Sequence, residues 1–317
     1  MGVCIYRKII DFFGFNVGST AALEISATAV KVLQLSKAEG KIKVDCYAIE
    51  PLDAGAATAC IVKAIKTALS KAQLKTTKVR VAIASSKVIS KILKMSAQLS
   101  DKDIACEIEL EIDKYFPYPA EEMCFDYAIV SASEDSNDEV DVLLTAAKLQ
   151  HITDITNIVT AAGLVPVAVD VDVYAIARSF RALIQKNDII STNKTFAIFD
   201  ISIDFIIVII ISNNRVLYVR EQILQELHHS TESQLIQLYK EFIITVGVNV
   251  VDGIYLFGDG INLVGLDEFL EQQLQITSYL VNPSFSMELQ SGISKTQFAI
   301  DAFGLMKCCG LALRDIN

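Results

Sequence analysis

Two short segments carry the residue types that chemistry on a phosphate requires. In the first, Glu24-Ile25-Ser26-Ala27-Thr28 sets a carboxylate two positions before a hydroxyl; in the second, Asp200-Ile201-Ser202 repeats acid, isoleucine and serine. When residues 22–36 are laid over 198–212, Glu24 falls on Asp200, Ile25 on Ile201, Ser26 on Ser202 and Ser36 on Ser212. An acid at a strand end, followed by a tight turn whose backbone N–H groups face outward, is a way to hold a phosphate and its metal ion. A plainer reading stands beside it: acid-x-Ser is also ordinary turn chemistry, in which the side chain bonds its own backbone. A third segment, Gly258-Asp259-Gly260, follows the strand-like run 253–257. It admits close backbone approach by a ligand, and it equally makes an ordinary turn.

Strands must position these residues. The β-rich runs 30–36 and 41–49 are joined by the polar 37–40, and 205–211 and 216–219 by Asn213-Asn214. Such short polar connections tolerate positive φ, so each half is expected to open with a strand ending in acid-Ile-Ser and to turn into a hairpin. The duplication predicts two similar lobes facing each other. Between the repeats, Ile61, Ile65, Ala68, Leu69 and Ala72 form a helical stripe, and 79–84 and 88–93 read as strands. Ser100 with Asp103 three residues on starts a helix carrying Ile104, Ile108, Ile112 and Tyr115, which Pro117 ends. Residues 125–132 and 139–146 read as a hairpin, Ile152 to Ala162 as a helix closed by Gly163, 165–171 as a strand and 174–184 as a helix. A polar linker is expected over 185–193, a helix over 222–244 with Leu224, Leu227, Leu235, Leu238 and Phe242, and another from Gly265. The predicted domains are a terminal segment 1–20, a first lobe of 21–50 plus 140–190, an inserted subdomain 51–139, and a second lobe 191–317.

The 317 residues are 52% hydrophobic, with a mean hydropathy of +0.41, which fits strands covered on both faces. The most apolar run, 201–211, is about half the ~20 residues a bilayer requires and contains Asp204, so a buried strand is expected. Residues 4–15 read as neither signal peptide nor anchor, and Tyr6 stands where myristoylation needs Ser or Thr. A net charge of −10 argues against a nucleic-acid partner, because phosphate binding relies on clustered Lys and Arg. Seven cysteines form no C-x-x-C pair, which points to reduced thiols in a cytosol, and the three histidines have no ligand at zinc spacing.

Several stretches carry a resemblance: 25–35 (ISATAVKVLQL), 109–119 with Tyr115-Phe116-Pro117-Tyr118-Pro119, 141–148 (DVLLTAAK), 169–177 (VDVDVYAIA), Arg220-Glu221-Gln222 and 309–314 (CGLALR). In order and spacing the chain resembles the PilM family of type IV pilus assembly over about residues 21–314. The resemblance implies an α/β, actin-like fold: two RNase H-like lobes of mixed sheet with flanking helices and an inserted subdomain. It further implies ATP and Mg²⁺ bound between the lobes by Glu24, Ser26, Ala27, Thr28, Asp200, Ser202, Gly258, Asp259 and Gly260. It implies a cytoplasmic scaffold, peripheral at the inner membrane, that grips the N-terminal tail of a PilN-like protein, and it leaves a pilus motor ATPase as a further candidate partner. The aromatic run Tyr115, Phe116, Pro117, Tyr118 would supply one wall of that groove, or it stops a helix and fills core.

Set against the family pattern, Glu24 replaces Asp, Ala27 replaces a hydroxyl residue and Ser202 a glycine. Gln225 and Glu226 stand where paired glycines are common, and Asp259 divides Gly258 from Gly260. A missing glycine removes close approach, and an added carboxylate repels phosphate. These departures favour a scaffold with nucleotide as a clamp, or with a degenerate site, over the alternative of an active Mg-dependent ATPase.

Overall fold

The structure, a computed structural model, describes residues 19–132, 138–184, 194–213, 215–224, 231–247, 251–259 and 264–315. The predicted terminal segment, the 185–193 linker, Gly260, Gln225 and Glu226 lie wholly or almost wholly outside them. The chain divides into two compact units. The first runs to Val32 and again from Glu50 to Asp172; the second takes Leu33–Ile49 and the described residues from Val173 onward.

In the first unit, β1 (Ala21–Ile25) lies between the start of β2 (Ala29–Ala38) and β4 (Lys78–Ile83), with β8 (Val165–Val171) beyond β4. β1, β4 and β8 are parallel, with Leu23 opposite Val81 and Val81 opposite Val169. The buried residues of α1 (Thr58–Ala72) are Ala64, Ile65, Ala68 and Ala72, the spacing of one helical face. A separate antiparallel sheet places β7 (Glu139–Lys148) between β5 (Val88–Ser96) and β6 (Met123–Ala132). α2 (Asp101–Tyr115) packs on it through Ile104, Ile108 and Ile112. Ser100 and Asp103 form the expected reciprocal cap at its start. α3 (Leu149–Ala161) returns the chain to β8.

This pairing moves the inserted subdomain. Residues 51–139 were the expectation, but β4 belongs to the parallel sheet while β7 belongs to the antiparallel one. The insertion is therefore built on β5, α2, β6 and β7. Alternation locates strands, yet it does not say which neighbour each strand pairs with, because partners are far apart in sequence.

In the second unit, β3 (Lys41–Pro51) follows β2 through Glu39 and Gly40, both at positive φ, the geometry of a tight hairpin turn. α4 (Asp172–Ile184) leads to a five-stranded sheet ordered β11-β10-β9-β12-β13. Its strands are β9 (Thr195–Ile201), β10 (Phe205–Ser212), β11 (Arg215–Ile223), β12 (Gly253–Phe257) and β13 (Ser278–Leu280). β9 and β10 are buried along almost their whole length, as central strands covered on both faces must be. α5 (Thr231–Val246) and α6 (Leu266–Leu274) close a core that includes Phe199, Leu235, Leu238 and Phe242. β14 (Met287–Leu289) pairs in parallel with β3, Met287 opposite Ile42. That pairing is why residues 33–49 join the second unit rather than the predicted first lobe. α7 (Lys295–Asp301) and α8 (Met306–Ala312) end the described chain.

The helix expected over 222–244 is a further correction. β11 continues through Arg220, Glu221 and Gln222 to Ile223, which lies opposite Phe205, and α5 begins at Thr231. An eight-residue buried partner in β10 extends β11, and this outweighs the helical spacing of Leu224 and Leu227. Leu227 lies outside the described residues.

Candidate functional site

The repeated segments fold alike. Glu24 ends β1 as a buried side chain, and the Ser26 N–H donates to the Ala29 carbonyl at 2.9 Å. In the second unit Asp200 is buried in β9, and the Ser202 N–H donates to the Phe205 carbonyl, also at 2.9 Å. Ala27 and Ile203 hold the same exposed place in their turns. The predicted register of the duplication thus holds to the level of one hydrogen bond.

The first turn is closed more tightly. The Ser26 hydroxyl donates to the Ala29 carbonyl and accepts from the Ala29 N–H, each at 3.0 Å. It also lies 3.4 Å from the Thr28 N–H. The Thr28 carbonyl in turn accepts from the Leu52 N–H at 2.8 Å. Three N–H groups, those of Ser26, Thr28 and Ala29, are therefore used inside the turn rather than pointed away from it, so the turn-chemistry reading describes this copy.

Each acid has a lysine that sequence reasoning missed. Lys31, two residues into β2, stands 3.6 Å from the Glu24 carboxylate, and both are almost fully buried. Lys307, on α8, stands 3.8 Å from the Asp200 carboxylate, again with little exposure. The signal for Lys31 was a single cation in the apolar run AVKVLQL. For Lys307 it was a cation beside the apolar Cys308-Cys309. A charge among buried residues needs a partner, and in each unit the nearby acid supplies it.

The glycine segment meets the second turn within the second unit. β12 runs parallel to β9 with Phe257 opposite Asp200, so Gly258 emerges beside the Asp200 strand end. Gly258 has φ +137°, and a Cβ on it would lie 1.9 Å from the Ile201 carbonyl oxygen. Its N–H donates to the Phe303 carbonyl at 3.1 Å. Asp259 is exposed, and a Cβ on Gly304 would lie 2.7 Å from the Asp259 Cβ. Asp200, Ser202, Gly258 and Asp259 thus share one end of the second unit's sheet. Glu24, Ser26, Ala27 and Thr28 share one end of the first unit's parallel strands, the edge at which open α/β sheets bind ligands.

The chemistry follows from the pairing. An ammonium beside a short turn is a point charge for a phosphate. A carboxylate already held by an ammonium binds Mg²⁺ poorly, since the metal must displace the lysine from a dry site. Among the described residues no group of three or more metal-ligating side chains occurs. The ammonium groups suit a phosphate, and a metal ion at either carboxylate would have to share it with a lysine.

The aromatic run divides. Phe116 is 4% exposed and belongs to the core of the inserted sheet, with the Lys91 ammonium 5.8 Å from its ring centre. Pro117 is exposed. The Tyr115 hydroxyl donates to Glu111 at 3.1 Å, and burial together with that carboxylate pushes its pKa up. Tyr118 is half-buried, with the Lys148 ammonium 4.2 Å from its ring centre. Two other stretches named for the resemblance serve packing. Arg220 pairs with Glu241 at 3.3 Å. A Cβ on Gly310 would lie 1.7 Å from the Ala175 carbonyl oxygen, and Arg178 donates to the Gly310 carbonyl at 2.7 Å.

Two α/β units that open on the same strand–turn–hairpin, one of them carrying an inserted three-stranded sheet, define an actin-like protein. Residues 22–226 and 222–316 match the family described as type IV pilus assembly protein PilM, and the chain belongs to that family. The chain is also similar to a solved PilM-PilN type IV pilus biogenesis complex, at 21% identity and a TM-score of 0.78, over 95% of this chain and 99% of that one. Ethanolamine utilization protein EutJ from Carboxydothermus hydrogenoformans matches at 10% identity and a TM-score of 0.50, over 93% and 89% of the two chains. A Bacteroides thetaiotaomicron protein with an actin-like ATPase fold and unknown function matches at 11% identity and 0.49, over 89% and 95%. Among the described residues no helix is long and apolar enough to cross a membrane.

Proposed function

We propose that this chain is a scaffold of type IV pilus assembly that holds the cytoplasmic N-terminal tail of a PilN-like inner-membrane protein, and is peripheral at the membrane through that partner. The observation that carries the reading is the family match along nearly the whole chain. The end-to-end likeness to PilM in its complex with PilN supports it. The face offered to the tail is Tyr118 with Tyr115 and Pro117, while Phe116 braces it from the core. Peptide capture uses such a rigid aromatic wall with a few polar anchors.

Nucleotide acts here as a clamp rather than a fuel. In the second unit Ser202, whose hydroxyl the turn does not use, and Lys307 are the groups that would meet its phosphates. Catalysis of phosphoryl transfer by the alternative ATPase relies on a metal that neutralises developing charge, and the carboxylates that would hold it are ion-paired.

Titration of the purified chain with a synthetic PilN tail tests the partner. Tyr118→Ala is expected to weaken binding by about tenfold or more, as loss of an aromatic anchor does, and to leave the circular dichroism spectrum unchanged. Asp200→Ala is expected to weaken it less. Unchanged affinity in the Tyr118 variant overturns the aromatic wall, and the reverse order of the two effects gives the nucleotide site control of the partner. A fluorescent ATP analogue should bind saturably without release of phosphate; steady turnover overturns the clamp.

A further inference from the structure

β1, β4 and β8 are parallel and start at one edge of the first unit's sheet, with Ala21 opposite Val79 and Lys78 opposite Val165. This edge is at the other end of β1 from the Glu24 turn. It is basic: Lys75 and Lys78 are exposed there beside the exposed Thr77 and Val165. The nearby acid Glu50 is held at 2.5 Å by Lys71, in the last turn of α1. These cations belong to the stretch 54–100, which contains nine Lys and Arg and no Asp or Glu in a chain whose net charge is −10.

The chain enters the fold at the same edge. Ser19 is exposed, and its carbonyl accepts from the Thr76 hydroxyl at 2.8 Å, so residues 1–18, which lie outside the described residues, are tethered next to Lys75 and Lys78. In their sequence Ile5, Ile9, Phe12 and Phe13 recur at i, i+4, i+7 and i+8, the spacing of one helical face, with Arg7 and Asp11 on the opposite side and Lys8 at the border. Such a stripe is too short and too charged to cross a bilayer, but it is the pattern that lies along one. An apolar stripe alone attaches weakly, and a basic patch beside it supplies the second signal that holding at a lipid surface needs.

We propose that this edge of the first unit docks on an anionic lipid surface, with Ile5, Ile9, Phe12 and Phe13 laid among the acyl chains and Arg7, Lys8, Lys75 and Lys78 meeting the headgroup phosphates. Charge sets the orientation: an acidic chain is repelled by an anionic leaflet except through its basic edge. The Glu24 turn, at the far end of the five-residue β1, then points away from the bilayer. The lipid contact is direct and comes in addition to any attachment through the tail partner, and it does not rest on the tail-binding or nucleotide readings.

Vesicle flotation of the full chain, with no tail peptide present, tests it. The wild type is expected to float with vesicles of phosphatidylglycerol and phosphatidylethanolamine, to be released in part as salt screens the charges, and to stay behind with vesicles of phosphatidylcholine. Lys75→Glu/Lys78→Glu should weaken partition to the anionic vesicles at least tenfold. Ile9→Asp/Phe12→Asp should abolish flotation. Lys102→Glu/Lys114→Glu makes the same charge change on exposed lysines of α2 and should weaken partition less than threefold. The two lysine variants should melt as the wild type does, which separates lost binding from lost folding. A wild type that stays behind with anionic vesicles, an Ile9/Phe12 variant that floats like the wild type, or an α2 variant that loses as much as the Lys75/Lys78 variant overturns the proposal. The tail titration, done without vesicles, stands or falls separately from all three.

Discussion

The two copies of the acid-Ile-Ser turn share a backbone hydrogen bond and a lysine partner, yet they are held in place differently. The first copy is secured from within: its own Ser26 hydroxyl bonds both backbone groups of Ala29, and Lys31 comes from the strand that follows. The second is secured from outside, by Gly258 pressed on Ile201 and by Lys307 from the distant α8. Duplicated sequence therefore reproduces local geometry, while the supporting contacts diverge. Both turns take an N–H from farther along the chain, Leu52 to the Thr28 carbonyl and Leu224 to the Asp204 carbonyl, each at 2.8 Å, so the difference lies in the serine hydroxyl of one copy and the glycine contact of the other.

The largest test of that contrast lies at the strands beside the turns. β12 lies next to β9 as β4 lies next to β1, and both pairs are parallel. The residue after β12 is Gly258, at φ +137° against a backbone carbonyl; the residue after β4 is Ala84, at φ −63°. Gly258→Ala should therefore destabilise the chain by about 4 kcal/mol or more, because a Cβ would meet main chain that cannot move aside. Ala84→Ser should change the midpoint of urea unfolding little. Equal effects at the two sites would mean that the second turn does not lean on Gly258.

The lysines give the next effect. Lys31→Met removes the ammonium 3.6 Å from the buried Glu24 carboxylate, and breaking a buried pair costs roughly 3–5 kcal/mol. Lys307→Met should cost less, since that pair is somewhat more open to water. Thermal unfolding of the two variants ranks them. A larger loss at Lys307 would reverse the order that burial predicts.

How much of this was legible beforehand depends on the range of the interactions. The repeat, the Ser100 cap, the α1 stripe and β8 are set by residues within one turn or one strand, and periodicity shows them. The place of β4 and β7 depends on pairing across tens of residues, and no local pattern encodes a neighbour in a sheet. The same holds at the site. Glu24, Asp200 and Gly258 announce themselves by type and spacing, but Lys307 meets Asp200 only through the packing of α8. The aromatic run hides a grading of the same origin: Phe116 lies inside the core of the inserted sheet while Tyr115 and Tyr118 pack, half-buried, against it, and only the position of that sheet decides which is which.

The smallest effect separates the serines themselves. Ser26→Ala removes a hydroxyl that serves both backbone groups of Ala29 and should cost about 1 kcal/mol, the net worth of a partly buried hydrogen bond. In the second copy the turn closes through the backbone of Ser202, whose N–H bonds Phe205 whatever the side chain. Ser202→Ala should accordingly shift stability by no more than a few tenths of a kcal/mol. Ser202→Gly, which restores small-residue approach at the turn, should instead show itself in a tighter fit for the ATP analogue. Hydrogen exchange at the Ala29 and Phe205 amides reads the two turns separately. Faster exchange at Ala29 in the Ser26 variant, with Phe205 unchanged in the Ser202 variant, is the outcome that internal support of one turn and external support of the other requires.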